Sequence, residues 1–353
     1  MFGCGTFTLI ILCTVMGPTV TLCIIAIAMA YASSIVVTLY KAELSDVTLS
    51  QDIKHINRAF NTGNTTIPKR TQPSKRQFNV PSMLRSLVSK TLLVAKPPAQ
   101  ATMATAWQTM RIASAVGNIH AGNMERGIQK TKVLEITING GLCTYALANL
   151  LPPAEFEFHI FDTESTTHPT TGYPNVHIHR GNTINQPPTF DVIFAIEAVN
   201  IVDSIKHMRD FMATMSKFLA PHGRLIIIDS FRSENFTAAP ADQQLAMRLA
   251  EHAAGVTELH SMSIWIECAH RVGLKLYGLE DLTVQAMPFW TIGWRVSHSI
   301  ILHTPAWLLR RLHATPYTTR ATDGLLFFAT AAHAMRNRTA AVYGVVEFAR
   351  IGE

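Results

Sequence analysis

The sequence predicts an α/β fold: a doubly wound, mostly parallel seven-stranded sheet with a helical cap insertion, preceded by an N-terminal transmembrane helix. Three observations predict it. From Lys132 onward, short apolar runs alternate with helical stretches. The first run ends in Asn139-Gly140-Gly141 and the second in Asp162, a glycine turn and a strand-end acid at the edge where open α/β sheets hold ligands. The third observation is a stretch of 35 residues, Thr6 to Tyr40, with no Asp, Glu, Lys, Arg or His.

About 20 apolar residues cross a bilayer core. Gly17-Pro18 interrupts the uncharged stretch, so the span is placed at residues 19–40. Ala30-Tyr31-Ala32 resembles a cleavage site, but the stretch lacks a basic start and exceeds the apolar length of a signal peptide. A retained single-pass anchor fits best. Residues 41–132 carry a net charge of +10, whereas residues 133–353 net −4. The basic side of a span faces the cytoplasm, which places the body there, and the same residues can lie on anionic lipid. The domains read as 1–40, a membrane anchor; 41–100, a basic linker rich in Pro, Asn and Thr; and 101–353, an α/β domain with a helical cap at about 286–338.

Composition excludes several classes. Hydrophobic residues make up 48% of the chain and charged residues 15%, which excludes intrinsic disorder. No basic stripe falls inside the body, so nucleic acid is not an expected partner. Only Cys143 and Cys268 lie outside the apolar N-terminus, and no CxxC or Cys/His ligand spacing is present, so no metal is expected.

The elements follow in order. A helix over 101–116 leads into a first strand, Val133–Ile138. A helix Leu142–Leu151 stops at Pro152-Pro153. Phe156–Phe161, Asn175–His179 and Phe190–Ala195 are the next strands. Asp203–Leu219 has apolar residues at helical spacing, and Pro221-His222-Gly223 reads as a turn before a fifth strand, Arg224–Asp229. Helices at 241–254 and 261–272, a strand Lys275–Thr283, a helical insertion at 286–338 and a last strand, Ala340–Ile351, complete the chain.

Chemistry is expected where these strands end. Glycine at 140 and 141 lets the backbone approach a ligand, and the helix that follows presents free N–H groups. Asp162, 21 residues after Gly141, is placed to accept hydrogen bonds from both ribose hydroxyls of a nucleoside. Glu197, at the end of the fourth strand, has the best position for a general base; His207 and His298 are further candidates. Phe289, Trp290, Trp294 and Trp307, with Arg310-Arg311, read either as an apolar acceptor pocket or lid at a membrane, or as the packing of a helical cap.

In this order, the motifs resemble those of class I S-adenosylmethionine-dependent methyltransferases. Val133 to Leu142 is similar to the family's first motif, Phe158–Asp162 to its second, Gly181-Asn182 to its adenine-contacting pair, Phe190–Ala198 to its fourth-strand motif and Leu219–Asp229 to its fifth. Trp265, Gly273-Leu274 and Asp281-Leu282-Thr283 look like its small-molecule C- and O-methyltransferase branch. The resemblance covers about residues 110–351. It implies a Rossmann-like sheet and S-adenosyl-L-methionine as cofactor, held by Glu135, Thr137, Asn139, Gly140, Gly141, Asp162, Asn182 and Ile196, with Glu197 as the catalytic candidate. It also implies a lipophilic small-molecule acceptor, and the anchor adds membrane lipid as a partner. Thr137 and Asn139 stand where the family has glycines, and side chains there would crowd the methionine part of the cofactor. The alternative is therefore a catalytically inactive binding or scaffold protein of the same fold. A nucleotide-dependent oxidoreductase on such a sheet would need the Gly-x-Gly-x-x-Gly that this chain lacks.

Overall fold

The computed structural model describes residues 56, 99–137, 141–162, 173–180, 189–197, 202, 204–314 and 319–350. The predicted span at 19–40 and nearly all of the 41–100 linker lie outside them, as do Asn139, Gly140 and Asn182; of Asp162 only the backbone is described. Among the described residues, no helix is long and apolar enough to cross a membrane.

Seven strands form one sheet: β1 (Thr131–Thr137), β2 (Phe156–Asp162), β3 (Val176–Arg180), β4 (Phe190–Ile196), β5 (Leu219–Arg232), β6 (Leu274–Asp281) and β7 (Ala341–Arg350). Their order is β3-β2-β1-β4-β5-β7-β6. The pairs from β3 through β5 are parallel, while β7 runs antiparallel to both β5 and β6. The sheet is therefore mixed, with one strand opposed to the other six. The reversal follows from connectivity: β7 enters from the helical cap, at the carboxyl end of the other strands, and must run back between its neighbours.

Helices cover both faces. One face packs α1 (Ala99–Glu125), α2 (Leu142–Leu150), α4 (Ala241–Ala254), α6 (Thr283–His303) and α8 (Thr319–Met335) against Val133, Phe156, Phe158 and Phe194. The other packs α3 (Ile205–Phe218) and α5 (Met262–His270) against Leu134, Ile136, Ile193 and Ile227. Successive strand residues point to opposite faces, so a strand covered on both sides must be apolar throughout. β1 is buried from Val133 to Thr137; the one charged residue in that stretch, Glu135, is satisfied by a helix N–H.

The cap at 286–338 resolves into α6, α7 (Ala306–Ala314), α8 and a short 3₁₀ turn at Arg336–Arg338. Its tryptophans divide. Trp290 and Trp294 are buried in the core, whereas Trp307 on α7 is 64% exposed. The predicted turn at Pro221-His222-Gly223 lies inside β5, as an irregularity in its pairing with β4. Phe190 pairs with Leu219 and Val192 with Arg224, so β5 carries three extra residues there. His222 takes the left-handed φ of 64° that this bulge requires.

Candidate functional site

In a sheet of this order, the direction of chain progression reverses between β1 and β4, and ligands bind outside the carboxyl ends at that point. Register aligns the ends. Thr137 pairs with Asp162, and Ile136 pairs with Ala195, which brings Ile196 and Glu197 level with the end of β1.

The first wall of the cleft is the start of α2. Gly141 caps it in left-handed geometry, with φ 73° and ψ 32°. Glycine is required twice over here. An L side chain rarely adopts that φ, and a Cβ on Gly141 would lie 2.4 Å from Ile160 Cδ1 and 2.9 Å from its Cγ1. Glu135, 4% exposed, accepts a hydrogen bond of 2.7 Å from the Thr144 backbone N–H in the first turn of α2. The carboxylate thereby caps the helix from the neighbouring strand and holds its positive end against the sheet. Burial, and then the Glu135 charge, raise the nearby Cys143 thiol far above its ordinary pKa.

Thr137 is the last residue of β1 and is buried. It is absent from the positive-φ residues, so its β-branch sits in ordinary strand geometry. The strand continues through Thr137, so its side chain stands at the carboxyl edge of β1.

The second wall is Glu197. It follows β4 directly and has φ 51°, an uncommon backbone state for a non-glycine residue. Its N–H donates to Ile228 O at 2.8 Å, which ties the strained residue to β5. Its carboxylate Oε1 accepts from the Tyr343 hydroxyl at 3.3 Å. The Tyr343 oxygen is bonded in turn by the amide of Gln108, from α1. Burial, followed by the charges of Glu197 and Asp229, holds the Tyr343 phenol well above its usual pKa, so it remains a neutral donor. Strain of this kind costs about 1–3 kcal/mol and concentrates at functional sites. The sequence singles out Glu197 but not Tyr343 of β7, which bonds it, nor Gln108 of α1 and Asp229 of β5, which act on the Tyr343 hydroxyl.

The two histidine candidates lie on helices. His207 is exposed in the first turn of α3, where its N–H donates to the Ser204 hydroxyl at 3.2 Å. His298 is buried in α6 with its ring stacked on Trp294, centroids 4.9 Å apart.

No protein-family model and no curated protein matches this chain. Solved structures do. One is a cyclopropane synthase from Mycobacterium tuberculosis, at 11% identity and TM-score 0.46, covering 63% of this chain and 78% of that one. A second is a geranyl diphosphate C-methyltransferase from Streptomyces coelicolor A3(2), in complex with Mg2+, geranyl-S-thiolodiphosphate and S-adenosyl-L-homocysteine. It has 13% identity and TM-score 0.43, with coverage of 67% and 76%. A third, from Galdieria sulphuraria, was solved as a sarcosine dimethylglycine methyltransferase, at 11% identity and TM-score 0.45, with coverage of 68% and 85%. The strand order and register described above, not these likenesses, carry the fold.

Proposed function

We propose that this chain transfers a methyl group from S-adenosyl-L-methionine to a lipophilic small molecule at a membrane surface. The observation that carries the reading is Glu197, fixed in a left-handed backbone at the reversal point of the sheet and held through its carboxylate by a neutral tyrosine. Three features support the cofactor: Gly141 opens α2 without a side chain, Asp162 ends β2, the position at which a ribose would be held, and Glu197 follows β4 beside the end of β1.

The cofactor supplies a methyl group on a sulfonium that is already a good leaving group. What remains for the protein is alignment and, where the acceptor must lose a proton, a base. Glu197 is that base. The Tyr343 hydrogen bond sets the direction of one oxygen, and Gln108 holds the tyrosine. On α7, exposed Trp307 and Arg311, with exposed Leu302 at the end of α6, suit an interfacial position beside the lipid that the 19–40 span would anchor.

The test is transfer of a labelled methyl group from S-adenosylmethionine into a total lipid extract by the full chain. Glu197→Gln keeps an acceptor oxygen for Tyr343 and removes the base. It should lower the rate by about 10²–10⁴-fold, the usual contribution of general base catalysis, with the thermal midpoint unchanged. An equal rate in a folded variant removes Glu197 from the chemistry. The second reading, a non-catalytic binding protein, is favoured by Asn139 at a family glycine position; binding of S-adenosylhomocysteine without transfer to any lipid would select it.

A further inference from the structure

Away from this cleft, the edge of the sheet carries a second cluster. Glu157 and His159 alternate along β2, and His177 and His179 alternate along β3; His159 pairs in register with His177, so all four side chains share one face. His159 lies three residues before the carboxyl end of β2 and Glu157 five, about 10 and 16 Å from the cleft at strand rise. One carboxylate oxygen, Glu157 Oε1, lies 3.1 Å from His159 Nε2 and 3.5 Å from His177 Nε2. Ligand atoms from all three residues fall within 4.8 Å of one another.

We propose that Glu157, His159 and His177 form a binding site for a divalent transition cation of the zinc class. Four donors at the bond lengths of a tetrahedral zinc site lie about 3.4 Å apart, the spacing that these contacts bracket. The donor set, two imidazoles and one carboxylate, suits zinc and its neighbours and not the all-oxygen preference of magnesium or calcium. The surroundings complete it. His179 Nε2 lies 2.8 Å from His159 Nδ1, the outer-shell contact that fixes a ligating ring with its Nε2 toward the ion. Lys130 Nζ approaches the other carboxylate oxygen, Oε2, at 3.9 Å and leaves Oε1 to the metal. The His177 side chain is 48% exposed, so the fourth position opens to water. The ion would clip the five-residue edge strand β3 to β2. Neither Cys/His spacing nor either strand alone announces this site; it arises from the register of two strands.

The test uses the untagged full chain, stripped with chelator and titrated with Co2+, whose four-coordinate complexes absorb visible light far more strongly than the aqueous ion. One equivalent should bind saturably, zinc should displace it, and either ion should raise the thermal midpoint. His177→Gln, a half-exposed position, and Glu157→Gln should each weaken binding about tenfold or more, while His270→Gln, on the exposed end of α5, should leave it unchanged. A wild-type protein that binds no cobalt saturably overturns the proposal. So does a folded His177→Gln variant that binds as tightly as wild type; the cluster is then a hydrogen-bonded relay from Glu157 through His159 to His179.

Discussion

Replacing Gly141 by alanine is expected to lower stability by about 2–5 kcal/mol. Two costs combine. A left-handed backbone under an L side chain costs about 1–2 kcal/mol, and overpacking a filled site costs about 1–3 kcal/mol. The new Cβ would stand 2.4 Å from Ile160 Cδ1 and 3.1 Å from its Cγ2, and Ile160 is itself fully buried, so rotation relieves the contact only in part. Two other glycines separate the terms. Gly127 has φ 78° with nothing within 4 Å of its Cβ position, so Gly127→Ala reports strain alone. Gly117 lies in α1 with equally open surroundings and an ordinary φ, and there alanine should stabilise slightly. Urea unfolding of the three variants checks the order. A loss at Gly141 no larger than at Gly127 would show that Ile160 yields freely and that the wall of the cleft is not close-packed.

Arg232→Ala should cost about 2–4 kcal/mol, toward the value for breaking a buried ion pair. Arg232 leaves the end of β5 and binds Glu251 of α4 at 2.6 Å; Glu251, 4% exposed, also accepts from the Leu259 N–H at 2.8 Å. The arginine reaches Glu258 as well and lies over the Phe236 ring at 4.4 Å. Burial already raises the Glu251 pKa, against the lowering effects of the Leu259 N–H and Arg232. Loss of the arginine raises it further. A carboxyl with a folded pKa above its unfolded value favours the fold at low pH and loses that contribution as pH rises. The penalty of Arg232→Ala should therefore grow from pH 5 to pH 8. Adding Glu251→Gln should recover much of it at pH 8. A penalty independent of pH would mean that the lost packing on Phe236, not the stranded carboxylate, dominates.

Much of this architecture is legible in the sequence because the buried strands are continuous apolar runs. Phe156–Asp162, Phe190–Ile196 and helix Ala241–Ala254 fall within a residue of where periodicity places them. Pro221-His222-Gly223 carries turn residues and was readable as a turn, yet the chain absorbs it as a bulge. Backbone contact explains why: a Cβ on Gly223 would meet Ala220 O at 2.9 Å and Asp191 O at 3.0 Å, a proximity that depends on strand pairing. The direction of β7 depends on where the cap returns the chain, and nothing in Ala341–Arg350 states it. The site divides in the same way. Gly141 and Glu197 are legible because one opens a readable helix and the other follows a readable strand. Tyr343 and Gln108 are not, since they lie on β7 and α1, and Tyr343 meets Glu197, and Gln108 meets Tyr343, only after the sheet has formed. Glu157, His159, His177 and His179 were visible only as strand residues, because register decides which side chains share a face.

If the cleft between β1 and β4 holds S-adenosylmethionine, calorimetric titration of the full chain with S-adenosylhomocysteine gives saturable binding at one site per chain. Asp162→Ala should weaken it by about 1–3 kcal/mol, the range for a hydrogen bond to a charged group, or roughly 5- to 150-fold in dissociation constant. Saturable binding with that loss supports the cleft as the cofactor site. Absence of saturable binding by the folded wild-type protein would contradict it.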